Sequence, residues 1–580
     1  NIGAYIPALG KSVGELAAES RSMHKSQGMG STPRRGNIME YFVYLKGEKP
    51  TNKDIFSVIN WDWNRIKGCE TVWADVEKIT GSFDMLDPDK SVNALLTLRD
   101  KLEPLKDNYL IQAKLEQIDN IILQCEGVYA EALSTKKFLP VGDSMNAGLN
   151  VVVQNSDKVK IISASLKVSG NKIASFTNDA ILPINILKTY SANAYIPEKI
   201  PISGPYWLEE AHTTGMYTVN DQLMRGLAQN PPQVVAHIVY SVRRVENGSG
   251  VKDVTIEKDI PVFSKFTDPI KGDIYSLARI VPPAVAIPQE NLLMFVNNEP
   301  KEIHVKVKSF KKGKAVLEMA IPAGWSVTLN KDTLVQNKDD RTIGVTPIAV
   351  PIDMKGDGTE QILSFWITPR NYAQTAEIAI FIAEGNYTYN RSLEDINYDH
   401  IPEQILLPKS KIKVVKMDIV THPKLVGYIN GAGDDIPPLL KELGYKVEII
   451  APEQLATADL SKYDAIIAGV RAYNTVDRLK YDNARLMDYV KNGGNYIVQY
   501  NNNFRLVTDS IGPYYLHPSN TRTTDENAKV TFLNQDNSAL NTPNKITEKD
   551  FEGWVQERGL YYPDKWDTVH YLPLLEMNDP

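Results

Sequence analysis

Leu425-Val426-Gly427-Tyr428-Ile429, followed by Asn430-Gly431-Ala432-Gly433-Asp434-Asp435, reads as a strand running into a glycine-rich turn. Pro437–Leu443 reads as the helix that the turn opens. Gly444 stops that helix, since glycine takes the left-handed conformation past a last helical turn at little cost. Tyr445-Lys446-Val447-Glu448-Ile449-Ile450 is the next strand. Tyr463-Asp464-Ala465-Ile466-Ile467-Ala468-Gly469 is another, with a continuous apolar run that suits burial on both faces. Leu479–Val490 is helical, Gly493-Gly494 ends it, and Tyr496-Ile497-Val498-Gln499-Tyr500 returns to strand. Ile412-Lys413-Val414-Val415 is placed at the head of the series. Strand alternating with helix predicts a parallel, doubly wound sheet over residues 406–580.

Upstream the period shortens. Leu149, Val151 and Val153 alternate with small or polar residues, as do Ile303, Val305 and Val307, then Leu363, Phe365 and Ile367, then Ile378, Ile380 and Ile382. A two-residue period is that of a half-buried strand. Trp325, Val327 and Leu329, after Pro322-Ala323-Gly324, belong to the same pattern. The Pro-rich stretch Val281–Pro288 divides the region, predicting two antiparallel β-sandwiches at 138–272 and 273–405. The first carries an irregular insertion with Tyr206, Trp207, His212, Met216 and Tyr217. Loops concentrate function, so Tyr206 and Trp207 are candidates for stacking on sugar rings. The alternative is that they plug the end of the sandwich.

Further upstream the period is helical. Ile111, Leu115, Ile118, Ile122, Cys125 and Tyr129 recur at steps of four and three. Val92, Leu95, Leu98, Leu102 and Leu105 make a second stripe, and Val72, Val76 and Ile79 a third. A small antiparallel helical bundle is expected at 51–137. Residues 1–50 are polar and glycine-rich. Their densest cluster is Ser20-Arg21-Ser22-Met23-His24-Lys25-Ser26-Gln27-Gly28-Met29-Gly30, and residue 1 is Asn rather than Met. This segment is read as the tail of a domain whose front lies upstream.

Bulk composition excludes some functions. At 580 residues about four domains are expected. The net charge of −7 argues against a nucleic-acid binder, which needs a basic face. No apolar run reaches the roughly 20 residues of a membrane-spanning helix. Cys69 and Cys125, both placed in helical segments, form neither a CxxC site nor a disulfide framework. Buried free thiols are the expected state, with a single structural disulfide as the alternative.

Candidate chemistry is sparse. The eight histidines (24, 212, 237, 304, 400, 422, 517 and 570) include no pair at HxH or HxxxH spacing and no HExxH, so no zinc site is predicted. The Asn430–Asp435 turn lacks the third glycine of a dinucleotide loop. It also places two carboxylates where phosphate would sit, so Asp434 and Asp435 suit capping of the following helix better than anion binding. The turn after Ala465–Gly469 is Val470-Arg471-Ala472-Tyr473-Asn474. A hydrolase would carry a serine or cysteine nucleophile there. Arg471 supplies none, but suits binding a carboxylate or a partner surface. Asp434 and Arg471 are the candidate residues of this domain.

The chain also resembles a family. Leu9-Gly10-Lys11-Ser12 with Ser20–Gly28, Glu40-Tyr41-Phe42 and Asp62-Trp63-Asn64-Arg65 resemble the end of the deacetylase domain, and the segment after it, in large bacterial PIG-L/LmbE-like proteins of the Bacteroides type. Tyr428–Asp434, Pro543-Asn544-Lys545-Ile546 and Asp550-Phe551-Glu552-Gly553-Trp554-Val555-Gln556-Glu557-Arg558-Gly559-Leu560-Tyr561 extend the resemblance over nearly the whole chain. It implies a zinc-dependent de-N-acetylase acting on N-acetylated sugars or glycoconjugates, periplasmic or secreted. That family's Ala-His-Pro-Asp-Asp motif is absent: His422-Pro423 precedes Lys424, and His517-Pro518 precedes Ser519. No catalytic or metal residue can therefore be carried over, and zinc is expected in sequence upstream of Asn1. Arg21, His24 and Gln27 are candidates for lining the edge of that site. Trp554 joins Tyr206 and Trp207 as a candidate glycan-binding residue. The carboxyl domain resembles flavodoxin-like, glutamine-amidotransferase or ThuA-type domains, with Arg471 where those enzymes have cysteine, which implies a non-catalytic relative.

The fold expected is thus multidomain α+β: a deacetylase remnant (1–50), a helical bundle, two sandwiches and an amidotransferase-like α/β domain. The function expected is accessory to a deacetylase. The alternative is a non-enzymatic carbohydrate-binding or assembly module.

Overall fold

The computed structural model describes residues 2–52, 54–176, 182–213, 215–245, 251–329, 348–554 and 559–579. Asn1 and the Val555–Arg558 part of the closing motif lie outside them. The protein is multidomain and mixes helix with strand. It divides into two compact units, Asn1–Glu126 and Gly127–Pro580.

The first unit is helical. Helix α1 (Val13–Ser22) begins with a capping box: the Ser12 side chain accepts from the Glu15 backbone, and the Glu15 carboxylate accepts from the Ser12 backbone. Helices α2 (Val72–Gly81), α3 (Val92–Leu102) and α4 (Tyr109–Cys125) follow the three apolar stripes. Asn108 caps α4 through its side chain. Arg99 of α3 and Asp119 of α4 meet at 2.6 Å, and Lys101 reaches Asp75 of α2 at 2.6 Å. The periodicity overshoots at its end, because Tyr129 lies in the strand Val128–Ser134 rather than on α4. Cys69 also lies outside helix, ahead of α2, and both cysteines are buried free thiols.

The second unit begins with a correction. The expected first sandwich is, among the described residues, a single eight-stranded sheet. Its strands run Asn171–Ser175, Val159–Val168, Val234–Val245, Val251–Asp268, Val128–Ser134, Asp143–Val153 and Lys188–Ile196, with Gly272–Leu277 paired to Val251–Asp268. The end strands, Asn171–Ser175 and Lys188–Ile196, return to within 8 Å of each other between Cα atoms, so the sheet is nearly a closed barrel. A register shift between Ile161 and Ser163 sharpens the curl, as bulges do. Barrel and sandwich share the two-residue period, so sequence alone could not separate them.

The second β region is a sandwich. A four-stranded sheet (Ala284–Pro288, Lys301–Ser309, Thr359–Pro369, Trp325–Thr328) faces a six-stranded one across a shared core containing Ile303, Val305, Phe365, Ile378 and Ile380. The six-stranded sheet includes Lys411–Lys416, paired in parallel with Leu292–Phe295 and antiparallel with Ala376–Glu384. Ile412–Val415 therefore closes the sandwich and does not open the α/β domain. The reason is visible in its own pattern: Ile412 and Val414 are fully buried while Lys411 and Lys413 face out, which is the signature of a sheet with one covered face.

The α/β domain has a four-stranded parallel sheet in the order Lys446–Ile449, Leu425–Ile429, Ala465–Ala468, Asn495–Val498. Helix α5 (Ile436–Glu442) covers one face, packing Ile436 and Leu440 against Val426, Tyr428 and Ile467. Helices α6 (Ala472–Thr475) and α7 (Leu479–Lys491) cover the other, where Tyr473, Leu479 and Leu486 meet Ile429 and Ile466. Both faces of the two central strands are buried, which explains their continuous apolar runs, while the outer strands Lys446–Ile449 and Asn495–Val498 stay partly exposed.

Candidate functional site

In open parallel sheets, ligands sit beyond the carboxyl ends of the strands, where the strand order reverses. Here that point lies between Leu425–Ile429 and Ala465–Ala468, and the turns after both strands meet there. Gly431 must lack a side chain, because a Cβ there would stand 2.1 Å from the Val470 carbonyl oxygen. The two turns are tied by Ala432 N–H donating to that same carbonyl at 2.7 Å.

Asp434 is turned into this junction. Its carboxylate accepts from the Tyr428 hydroxyl at 2.6 Å, from Ile436 N–H at 3.0 Å and from Val470 N–H at 3.1 Å. Capping of α5 thus falls to Asp434, while the Asp435 side chain makes no cap hydrogen bond. Gln499, beyond the fourth strand, donates its Nε2 to the Tyr428 oxygen at 2.9 Å. Tyr428 is fully buried. Burial, then its bond to Asp434, pushes its hydroxyl well above the usual phenol range, so it remains a donor.

Arg471 stands on the opposite turn, at the amino end of α6. Its backbone is left-handed, φ +57° and ψ +26°, at the junction of strand and helix. Its N–H donates to Tyr500 O at 2.7 Å. Its Nε is buried and has no hydrogen-bond partner among the described residues. A left-handed non-glycine residue is uncommon, and here it sets a guanidinium on the turn from strand to helix. Buried Asn501 braces the turn, accepting from Tyr473 N–H at 3.0 Å and donating to Gln499 O at 2.8 Å. Asn474 bonds the backbone of Asn502 and Phe504. Tyr473 shares its hydroxyl with Asn483 and Tyr496, each at 2.8 Å, and burial pushes it up to about 12.

The structure thus brings Asp434 and the Val470–Arg471 turn together. Tyr428, Gln499, Asn474 and Asn501 complete the junction. Tyr428 and Asn474 stand in the sequence only as members of a strand and a turn, and the polar run Gln499–Asn503 directly after an apolar strand is the signal for Gln499 and Asn501.

The other candidates stand apart. Arg21 is in the last turn of α1, and His24 and Gln27 follow it; all three are exposed and are joined through backbone bonds from His24 N–H to Arg21 O and from Gln27 N–H to His24 O. Tyr206 and Trp207 are half-buried and packed edge to face at 4.9 Å. Tyr206 OH donates to Leu227 O, and its N–H to Asn230 Oδ1, each at 2.9 Å. Tyr206 thus ties together two parts of the insertion, with Trp207 packed against its ring. Trp554 is 44% exposed and packs at 5.2 Å against Phe551. The zinc implied by the resemblance finds no donor set here: among the described residues no three His, Cys, Asp or Glu side chains are placed to hold a metal. Nor is any described helix long and apolar enough to cross a membrane.

Fold and junction together define a multidomain protein that mixes helix with strand and has a four-stranded parallel sheet in its last domain. No family model and no curated protein matches the chain. Among solved structures, Escherichia coli alpha-2-macroglobulin activated by porcine elastase is matched at 8% identity and a TM-score of 0.15. The match covers 50% of this chain, which spans about a fifth (22%) of that one.

Proposed function

We propose that this chain is the accessory, non-catalytic region of a PIG-L/LmbE-like zinc-dependent de-N-acetylase acting on N-acetylated sugars or glycoconjugates in the periplasm or outside the cell. Its last domain is amidotransferase-like but binds rather than turns over. The observation that carries this reading is the Gly469–Ala472 turn. It is the strand-to-helix turn, the place in the fold where hydrolases mount a nucleophile, yet it presents Arg471. A guanidinium has no nucleophilic chemistry at neutral pH but pairs with carboxylates through two parallel hydrogen bonds. The zinc-bearing part is assigned to sequence upstream of Asn1. The test is to assay this 580-residue chain, with zinc, on N-acetylglucosamine derivatives, beside a version extended at its amino end. Acetate release is expected only from the extended protein. Release by the shorter chain overturns the reading.

A second reading, a carbohydrate-binding module without enzymatic role, is favoured by one observation: Trp554 is exposed beside Phe551. Glycan-array binding that Trp554→Ala abolishes and Trp207→Ala preserves supports it. Silence across the array removes it.

A further inference from the structure

The three helices α2, α3 and α4 do not close on one another completely. They leave an open cleft of about 550 Å³, within the range of small-ligand sites. Its floor is core: Val72, Leu98 and Ile118 are buried. Its walls are Trp73, Phe83 and Ile121, which are 60%, 49% and 43% exposed. Large apolar side chains rarely stand this open around a cavity without something to cover them.

Four polar residues line the cleft, Thr80, Ser91, Lys114 and Gln117, and two of them bear on what it would hold. Lys114 is the sole charged residue lining it, and among the described residues its ammonium meets only Gln117, at 2.9 Å, and no carboxylate. Ser91 also lines it. This residue is 5% exposed, and its Oγ is buried without a hydrogen-bond partner among the described residues. Such a hydroxyl is costly unless something reaches it. Helices α3 and α4 are antiparallel neighbours, paired through Arg99 and Asp119, so Ser91, just ahead of α3, lies toward the Cys125 end of α4 and Lys114 toward the other. Lys114 and Cys125 both line the cleft and are separated by about 16 Å of helix at 1.5 Å per residue.

A narrow apolar trough with a cation at one end and a buried hydroxyl at the other has a definite complement. We propose that this cleft binds a linear aliphatic carboxylate, its head paired with Lys114, its chain laid along α4, and an oxygen near its far end hydrogen-bonded to Ser91. This site is separate from the α/β junction and independent of the proposed deacetylase role.

The test is calorimetric titration of the full chain, below micellar concentrations, with dodecanoate, decanoate, dodecanol and 12-hydroxydodecanoate. Saturable binding of one dodecanoate per chain is expected. Decanoate should bind roughly fifteen-fold more weakly, about four-fold for each methylene lost. The 12-hydroxy acid should bind roughly five-fold tighter than dodecanoate, and Ser91→Ala should erase that preference. Lys114→Glu, at an exposed position, should weaken dodecanoate about ten-fold and leave dodecanol unchanged. Failure of both acids to bind overturns the proposal, as does indifference of dodecanoate to Lys114→Glu. It is equally overturned if a peptide of the sequence Met39–Leu45, this chain's own exposed apolar segment, binds while dodecanoate does not.

Discussion

The second sandwich and the junction of the α/β domain are held together in opposite ways. The sandwich core is built on apolar side chains, with Phe365, Ile303 and Ile380 fully buried, and the hydroxyls of Thr368 and Ser410 are buried with no hydrogen-bond partner among the described residues. The junction is a chain of partly buried polar bonds running Gln499, Tyr428, Asp434 and Val470, with Arg471 beside it in a left-handed conformation. Apolar packing is non-directional and tolerates repacking of similar volume. A buried polar network works only when every member is satisfied. The contrast teaches that the sandwich is organised for stability, and that the junction spends some stability on holding specific groups in place.

The largest expected effect lies on the apolar side. Phe365→Ala should cost about 3–5 kcal/mol through lost burial and a residual cavity, read as an earlier denaturant transition. Phe365→Leu should recover most of it. On the polar side, Asp434→Ala strands the Tyr428 hydroxyl and two backbone N–H donors, and should cost about 3 kcal/mol. The conservative Asp434→Asn should cost less, because it still accepts. If Asn proves as damaging as Ala, charge rather than hydrogen-bond geometry governs the junction.

A pH titration probes the junction through its phenols, while in the sandwich burial raises Tyr389 in the same direction. Tyr428 has a hydroxyl raised by burial and by Asp434. The protonated phenol is therefore favoured in the folded chain. Its stabilising contribution is complete below the unfolded value near pH 10 and is lost as pH rises through the folded one. The α/β transition should weaken above about pH 10, and Tyr428→Phe should reduce that slope. It should not abolish it, since burial also raises Tyr473 and Tyr496. The smallest effect has the opposite sign. Arg471→Gly relieves the left-handed backbone and removes the partnerless Nε, and should stabilise by up to about 1 kcal/mol. A destabilised Arg471→Gly protein would sink the view that Arg471 is kept for binding rather than for folding.

Particular residues show how much of the fold is legible in the chain itself. The strands at Leu425–Ile429 and Ala465–Ala468, and the helix stopped by Gly444, are readable because burial on both faces leaves an unbroken apolar run. Ile412–Val415 belongs to a different domain from the one its place in the sequence suggests, because an alternating strand carries no mark of which sheet it will join. The barrel-like sheet reads as a sandwich for the same reason. Its closure depends on Val234–Val245 pairing with Val251–Asp268, and on the parallel contact of the latter with Val128–Ser134. Of the junction, Asp434 and Arg471 are visible as odd residues in turns. Tyr428 and Gln499 are not, since they are 71 positions apart and meet through a sheet neighbour twice removed.

Local pattern alone therefore determined the mixture of helix and strand, the parallel sheet of the last domain, and the absence of a nucleophile from its sharp turn. These depend on periodicity and residue type, which any short window of sequence contains. Tertiary structure alone decided barrel against sandwich, the inward use of Asp434, the left-handed conformation of Arg471 and the cleft that three apolar stripes leave unfilled. Each of these depends on which distant surfaces meet and how closely their volumes match, and a one-dimensional pattern does not contain that information.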